Sequence, residues 1–180
     1  MNIKNLLILA FLVLTHYIVI GQQESTKLTF HISVAEKVKA SFKSNGRLLI
    51  YFTEEDGIEP KNSSVYSGNG IVYGRNIINW DKNETKHFEG DEDWEKTANW
   101  NFNSVPDGDY NIQIVWSQNG SSESQINSPS NLHSKNFKIS TKQKQEVTIS
   151  LSEIIPERNL VSHNLVELFS FQSDTLTKWW

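Results

Sequence analysis

Apolar and polar residues alternate along much of the chain. The sharpest run is residues 110–117. Tyr110, Ile112, Ile114 and Trp116 fall on one side, and Asn111, Gln113 and Ser117 on the other. A two-residue period of this kind is that of a half-buried β-strand. Pro106-Asp107-Gly108 in front of it predicts a turn, with Gly108 taking the positive φ that glycine tolerates. Residues 27–34 alternate in the same way: Leu28, Phe30, Ile32 and Val34 against Thr29, His31 and Ser33. Residues 47–52 are apolar on both sides, which predicts a central strand covered on both faces. Further strands are expected at 71–73, 77–78, 136–139, 145–151 and 166–171. Residues 36–41 could open a short helix. Turns are expected at Ser44-Asn45-Gly46 and at Glu54-Glu55-Asp56-Gly57, and Ile154-Ile155-Pro156 ends the 145–151 strand. Residues 118–131, rich in Ser, Asn and Gly, read as a surface loop. No long helical period occurs. The pattern predicts an all-β antiparallel sandwich.

The first 21 residues follow a different rule. Lys4 precedes an almost wholly apolar run at 6–20, interrupted by Thr15 and His16. This run is shorter than a membrane span, which favours a cleaved signal peptide over an anchor helix. Removal between Gly21 and Gln22 is expected, so the mature protein is exported, to the periplasm or beyond, with no membrane attachment after cleavage. Residues 22–164 then form the sandwich domain, and 165–180 begin a linker or a following domain. The chain ends on Trp179 and Trp180. Terminal residues are usually polar, so two aromatics predict a chain that stops before the structure that would cover them.

Composition narrows the chemistry. The 180 residues contain no Cys, which removes thiolate catalysis, disulfides and Cys-based zinc sites. The formal net charge is −4 and the Lys and Arg residues are scattered, which argues against a nucleic acid partner. No nucleophile elbow is present: Gly120-Ser121-Ser122-Glu123-Ser124 lacks the second Gly. Of the mature His residues, His31, His87, His133 and His163, no two are spaced i, i+2 or i, i+4. No metal site or cofactor is therefore expected. The carboxylates of residues 89–93 would suit Ca²⁺ but lack an EF-hand pattern and read as a solvated acidic loop. Asp107 and Asp109 read as turn residues. Asn62, Asn83 and Asn119 match the Asn-x-Ser/Thr sequon and mark exposed loops. Trp116 is in phase with the core face of its strand. Trp80, Trp94 and Trp100 lie in the loosely specified 74–104 region among Asp, Asn and Glu. They are candidates for stacking on the C–H face of a glycan, the alternative being that they cap the core.

Four stretches carry a family resemblance. They are Gly46-Arg47-Leu48-Leu49-Ile50-Tyr51-Phe52 with Glu59-Pro60 after it, Pro106-Asp107-Gly108-Asp109-Tyr110-Asn111-Ile112-Gln113, Ser128-Pro129-Ser130-Asn131-Leu132-His133-Ser134-Lys135, and Leu151-Ser152-Glu153-Ile154-Ile155-Pro156. In order and approximate spacing they resemble the N-terminal region of secreted bacterial enterochelin-esterase-like α/β-hydrolase proteins. Each stretch alone is a common turn-plus-strand pattern; the specificity lies in the set of four. The resemblance implies an Ig-like β-sandwich ahead of a hydrolase domain. The nucleophile, acid and His of such a hydrolase lie beyond the resemblance, and no catalytic residue carries over. It implies a non-catalytic accessory module that shapes access to the C-terminal hydrolase domain or mediates a homodimer contact. The alternative is a free-standing carbohydrate-binding module that uses exposed Trp80, Trp94 and Trp100.

Overall fold

A computed structural model describes residues 27–63, 65, 68, 70–90, 93–118 and 126–157. The apolar leader, the Gly21–Gln22 junction, the strand expected at 166–171 and the terminal tryptophans lie outside the described residues.

Ten strands make up the described chain: β1 (Leu28–Val34), β2 (Gly46–Thr53), β3 (Gly70–Ile77), β4 (Lys86–Phe88), β5 (Glu95–Lys96), β6 (Asp109–Ser117), β7 (Leu132–His133), β8 (Phe137–Ser140), β9 (Gln145–Leu151) and β10 (Glu153–Ile154). The only described helical turns are 3-10 turns at Glu36–Val38 and Pro60–Asn62, so residues 36–41 give one short turn and no longer helix. The larger sheet runs β10-β7-β6-β2-β3-β5, with β8 also paired to β6. The smaller runs β4-β1-β9. The fold is a β-sandwich-like all-β arrangement.

Alternation decides which residues face inward. Phe30 and Ile32 of the small sheet and Leu48, Ile50, Phe52, Ile112, Ile114 and Trp116 of the large one are fully buried in one core. Phe52 sits at its centre, with the rings of Phe30, Tyr73, Trp100, Phe102 and Tyr110 around it at centroid distances of 5.6–6.3 Å. Most of these contacts are edge-to-face, the arrangement the ring quadrupoles prefer.

Three expectations change. First, β1 and β9 pair in parallel, Phe30 opposite Val147 and Ile32 opposite Ile149, while the other described pairs are antiparallel. A tight hairpin forces antiparallel neighbours; two strands more than a hundred residues apart are under no such constraint. Second, β6 is buried on both faces. Asn111 and Gln113, the polar side of the alternation, are 5% and 1% exposed. The segment from Glu55 to Lys61 lies against them, and Ser134, just past the neighbouring strand β7, reaches Gln113. Gln113 accepts from the Lys61 amide at 3.2 Å and donates to the Ser134 carbonyl at 3.2 Å. Asn111 donates to the Glu55 carbonyl at 2.8 Å. Third, Gly108 is not among the glycines with positive φ. Glycine supplies space there: a Cβ would come within 3.1–3.3 Å of the Tyr110 ring. Thr141 pins the turn, its hydroxyl donating to the Pro106 carbonyl at 2.6 Å and accepting from the Gly108 amide at 3.0 Å.

The region from 118 to 131 is not simply a surface loop. Gln118 is buried and its amide donates to the Ser41 and Ser130 carbonyls at 3.1 and 2.6 Å. Residues 119–125 lie outside the described set.

Phe52→Ala should lower the unfolding free energy by about 3–5 kcal/mol in denaturant titration, because a central aromatic leaves a cavity. Ile78→Ala, at a 74% exposed position, serves as the control and should change it by less than about 0.5 kcal/mol. Gln113→Ala should cost about 1–3 kcal/mol for each backbone group it leaves unpaired. A Gln113→Ala protein as stable as wild type would show that this buried amide does not hold the covering segments.

Candidate functional site

The outward residues of β2 and β3 form the floor of a concavity of about 580 Å³. Leu49 and Tyr51 come from β2, Val72 and Gly74 from β3. These positions face outward because β2 and β3 register Leu49 with Gly74 and Tyr51 with Val72, while the alternate residues face the core. The 3-10 turn that carries Lys61 forms one wall, and β5 with Glu95 and Lys96 forms another. Gly74 keeps the floor open beside Arg47, since a Cβ there would come within 2.6 Å of the guanidinium.

The rim is charged. Arg47 meets Glu95 with both terminal nitrogens, Nη2 to Oε2 at 2.7 Å and Nη1 to Oε1 at 3.4 Å, and Nη1 also donates to Asn76 Oδ1 at 3.1 Å. This is the fork geometry that suits a guanidinium to a carboxylate. Lys61 Nζ lies 2.7 Å from Glu59 Oε2 and donates to Asn127 Oδ1 at 3.2 Å. Hydrogen bonding and charge from Arg47 hold the Glu95 carboxyl below its ordinary range. Burial pushes the Tyr51 hydroxyl well above its ordinary range, so it stays protonated, against a smaller opposing pull from Arg47. The surface is therefore an apolar trough with a protonated phenol in its floor and cations at its edge.

The tryptophans fall elsewhere. Trp80 is 1% exposed, with edge-to-face contacts to Phe42 and Trp116 at 5.3 and 5.1 Å and an N–H donated to the Glu84 carbonyl at 3.2 Å. It offers no ring face to a glycan, which corrects the exposure on which that reading depended. Trp94 and Trp100 are partly buried and packed against the core. Both converge on Tyr73, at 6.3 and 5.4 Å, and the Tyr73 hydroxyl donates to the Trp100 carbonyl at 2.6 Å. The Trp94 indole N–H is enclosed and has no hydrogen-bond partner among the described residues. The three rings thus split into two groups, at separate parts of the core, and form no shared platform. Their apolar area outweighs the polarity of their neighbours in sequence, because an indole gains more by filling a core than by standing in a loop.

Sequence reasoning did not find the trough. Arg47, Tyr51 and Glu95 lie on separate elements and meet only through the β2-β3-β5 register. Among the described residues no group of three or more His, Asp or Glu side chains converges on a metal-sized point. Asp107 pairs with Lys27. Asp109 opens β6 as an exposed residue 3.6 Å from Lys142. Compared with protein-family models, curated proteins and solved structures, the chain shows no significant match.

The Arg47–Glu95 pair sets a pH prediction. A carboxyl whose folded pKa is depressed stabilises the fold above the unfolded carboxylate range, and that contribution is lost as pH falls through the folded pKa. Arg47→Gln should move the Glu95 titration upward in a carboxyl-resolved NMR titration. An unchanged Glu95 midpoint would mean that the guanidinium does not control it.

Proposed function

We propose that the chain is a non-catalytic Ig-like accessory module of an exported esterase-like hydrolase, shaping or positioning access to a catalytic domain that follows it. One observation carries this reading. The four stretches that resemble the hydrolase-associated domains lie up to a hundred residues apart, yet they hold neighbouring places in the large sheet. They supply β2, the turn into β6, β7 and β10, and the order β10-β7-β6-β2 makes them contiguous. The third and fourth also bond to one another outside the ladders: the Ser152 amide donates to the His133 carbonyl at 3.0 Å, and the Ile155 amide to the Asn131 carbonyl at 2.8 Å. Stretches that belong to one module must be able to lie together, and a ladder couples the residues it pairs.

The apolar leader supports export, and the trough on the outer face of β2 and β3 is the surface such a module offers to its neighbour. Binding there is consistent with a role in access and needs no reacting group.

The reading frame beyond codon 180 tests the proposal. An open frame running into a domain with a Gly-x-Ser-x-Gly elbow is the expected result; a stop codon directly after Trp180 would overturn it. In parallel, the purified chain should not hydrolyse p-nitrophenyl esters above the buffer rate. Turnover that withstands repurification would contradict the non-catalytic assignment.

A further inference from the structure

The outer face of the small sheet is polar: His31 and Ser33 on β1, Thr148 and Ser150 on β9, and His87 on β4 all lie on it. β1 and β4 are antiparallel and their register places His31 directly opposite His87. The two rings stand edge to face, with centroids 4.6 Å apart at 84°. Their Nδ1 atoms are 2.6 Å apart. His87 is exposed, and the His31 side chain is 24% exposed.

At this distance one ring donates its Nδ1 proton to the Nδ1 lone pair of the other, and a metal ion that replaces that proton can be held by the same two nitrogens. Glu146 Oε2 lies 4.0 Å from Nε2 of His31. Drawn in to hydrogen-bond distance, a carboxylate at the remote nitrogen fixes the tautomer of a metal-bound imidazole and raises its basicity. β4 is an edge strand of three residues, so it can yield slightly. A tetrahedral ion with Zn–N bonds of about 2.0–2.1 Å needs its two nitrogens about 3.3 Å apart. The rings must therefore part by less than about 1 Å, within the range of a small χ adjustment.

We propose that His31 and His87 form a two-imidazole site for a divalent transition metal ion of the Zn²⁺ or Cu²⁺ class, with Glu146 as the positioning residue for His31. Imidazole ligands select these ions over Mg²⁺ and Ca²⁺, which take oxygen. Water or an external donor completes the coordination sphere, which makes the site open. Binding displaces the proton held between the two Nδ1 atoms. The ion would clip β4 to β1 across 56 residues of chain.

The test uses the purified chain and the metals alone. With one equivalent of Cu²⁺, the EPR spectrum should show superhyperfine coupling to two equatorial nitrogens. Coupling to one nitrogen or none overturns the site, whatever the variants do. With Zn²⁺ in excess, the thermal midpoint of the wild type should rise, since a ligand that binds only the folded state stabilises it. The rise should disappear in His87→Gln and in His31→Gln, and persist in His163→Gln. A rise that survives both His31→Gln and His87→Gln, or that Mg²⁺ reproduces, rejects the proposal. Glu146→Gln should weaken Cu²⁺ binding about tenfold or more while keeping two coupled nitrogens, the signature of a positioning residue. Unchanged affinity would remove Glu146 from the site.

Discussion

Strand β6 has no face turned to water, and much of the molecule follows from that constraint. Tyr110, Ile112, Ile114 and Trp116 fill the sandwich core on one side. Asn111, Gln113 and Val115 are equally covered on the other. Buried amides must be paired, because an unsatisfied donor or acceptor in a dry interior costs more than a hydrogen bond gains. The chain meets this requirement with backbone from distant segments. Glu55 and Lys61 come from the connection after β2, and Ser134 from the connection after β7. Two side chains that would be solvated in an open sheet thus hold two irregular connections in place.

The same device recurs at the end of the strand. The Trp116 N–H donates to the Lys43 carbonyl at 3.0 Å, and Gln118 reaches the Ser41 and Ser130 carbonyls. These bonds fasten the turn before β2 and the segment before β7 to the end of β6. The inner face is organised by aromatic packing and the outer by amide hydrogen bonds. The first is non-directional and tolerates approximate fit; the second requires specific partners. Among the described residues, the outer face of β2 and β3 beyond Lys61 is a concave surface with Arg47 and Glu95 at its rim.

Much of the β architecture was legible in the alternation itself. β1, β6, β8 and β9 lie where the two-residue period places them, since a strand pays in buried apolar area for every residue out of phase, and β2 lies where the continuous apolar run of residues 47–52 places it. The short strands were not legible. β4, β5, β7 and β10 have two or three residues each, too few to express a period. They form because a longer neighbour offers an unpaired edge. The candidate sites were less legible still. The trough depends on Arg47, Tyr51, Gly74 and Glu95 meeting through register, and the histidine pair joins residues far apart along the chain. A spacing search over i, i+2 or i, i+4 detects ligands on one element, not ligands on two strands.

The sequence by itself determined that this is a β protein without thiol chemistry, which residues of its long strands face the core, and that Pro106, Asp107 and Gly108 make a turn ahead of the principal strand. These are local properties: period, composition and turn chemistry act over a few residues. Tertiary structure alone decided that β1 and β9 run parallel, that Asn111 and Gln113 are buried, that Trp80 is core and not a platform, and that His31 faces His87. Each of these depends on which segments become neighbours across the sandwich. A side chain's role there is set by what arrives opposite it, and the residues beside it in the chain carry no record of that arrival.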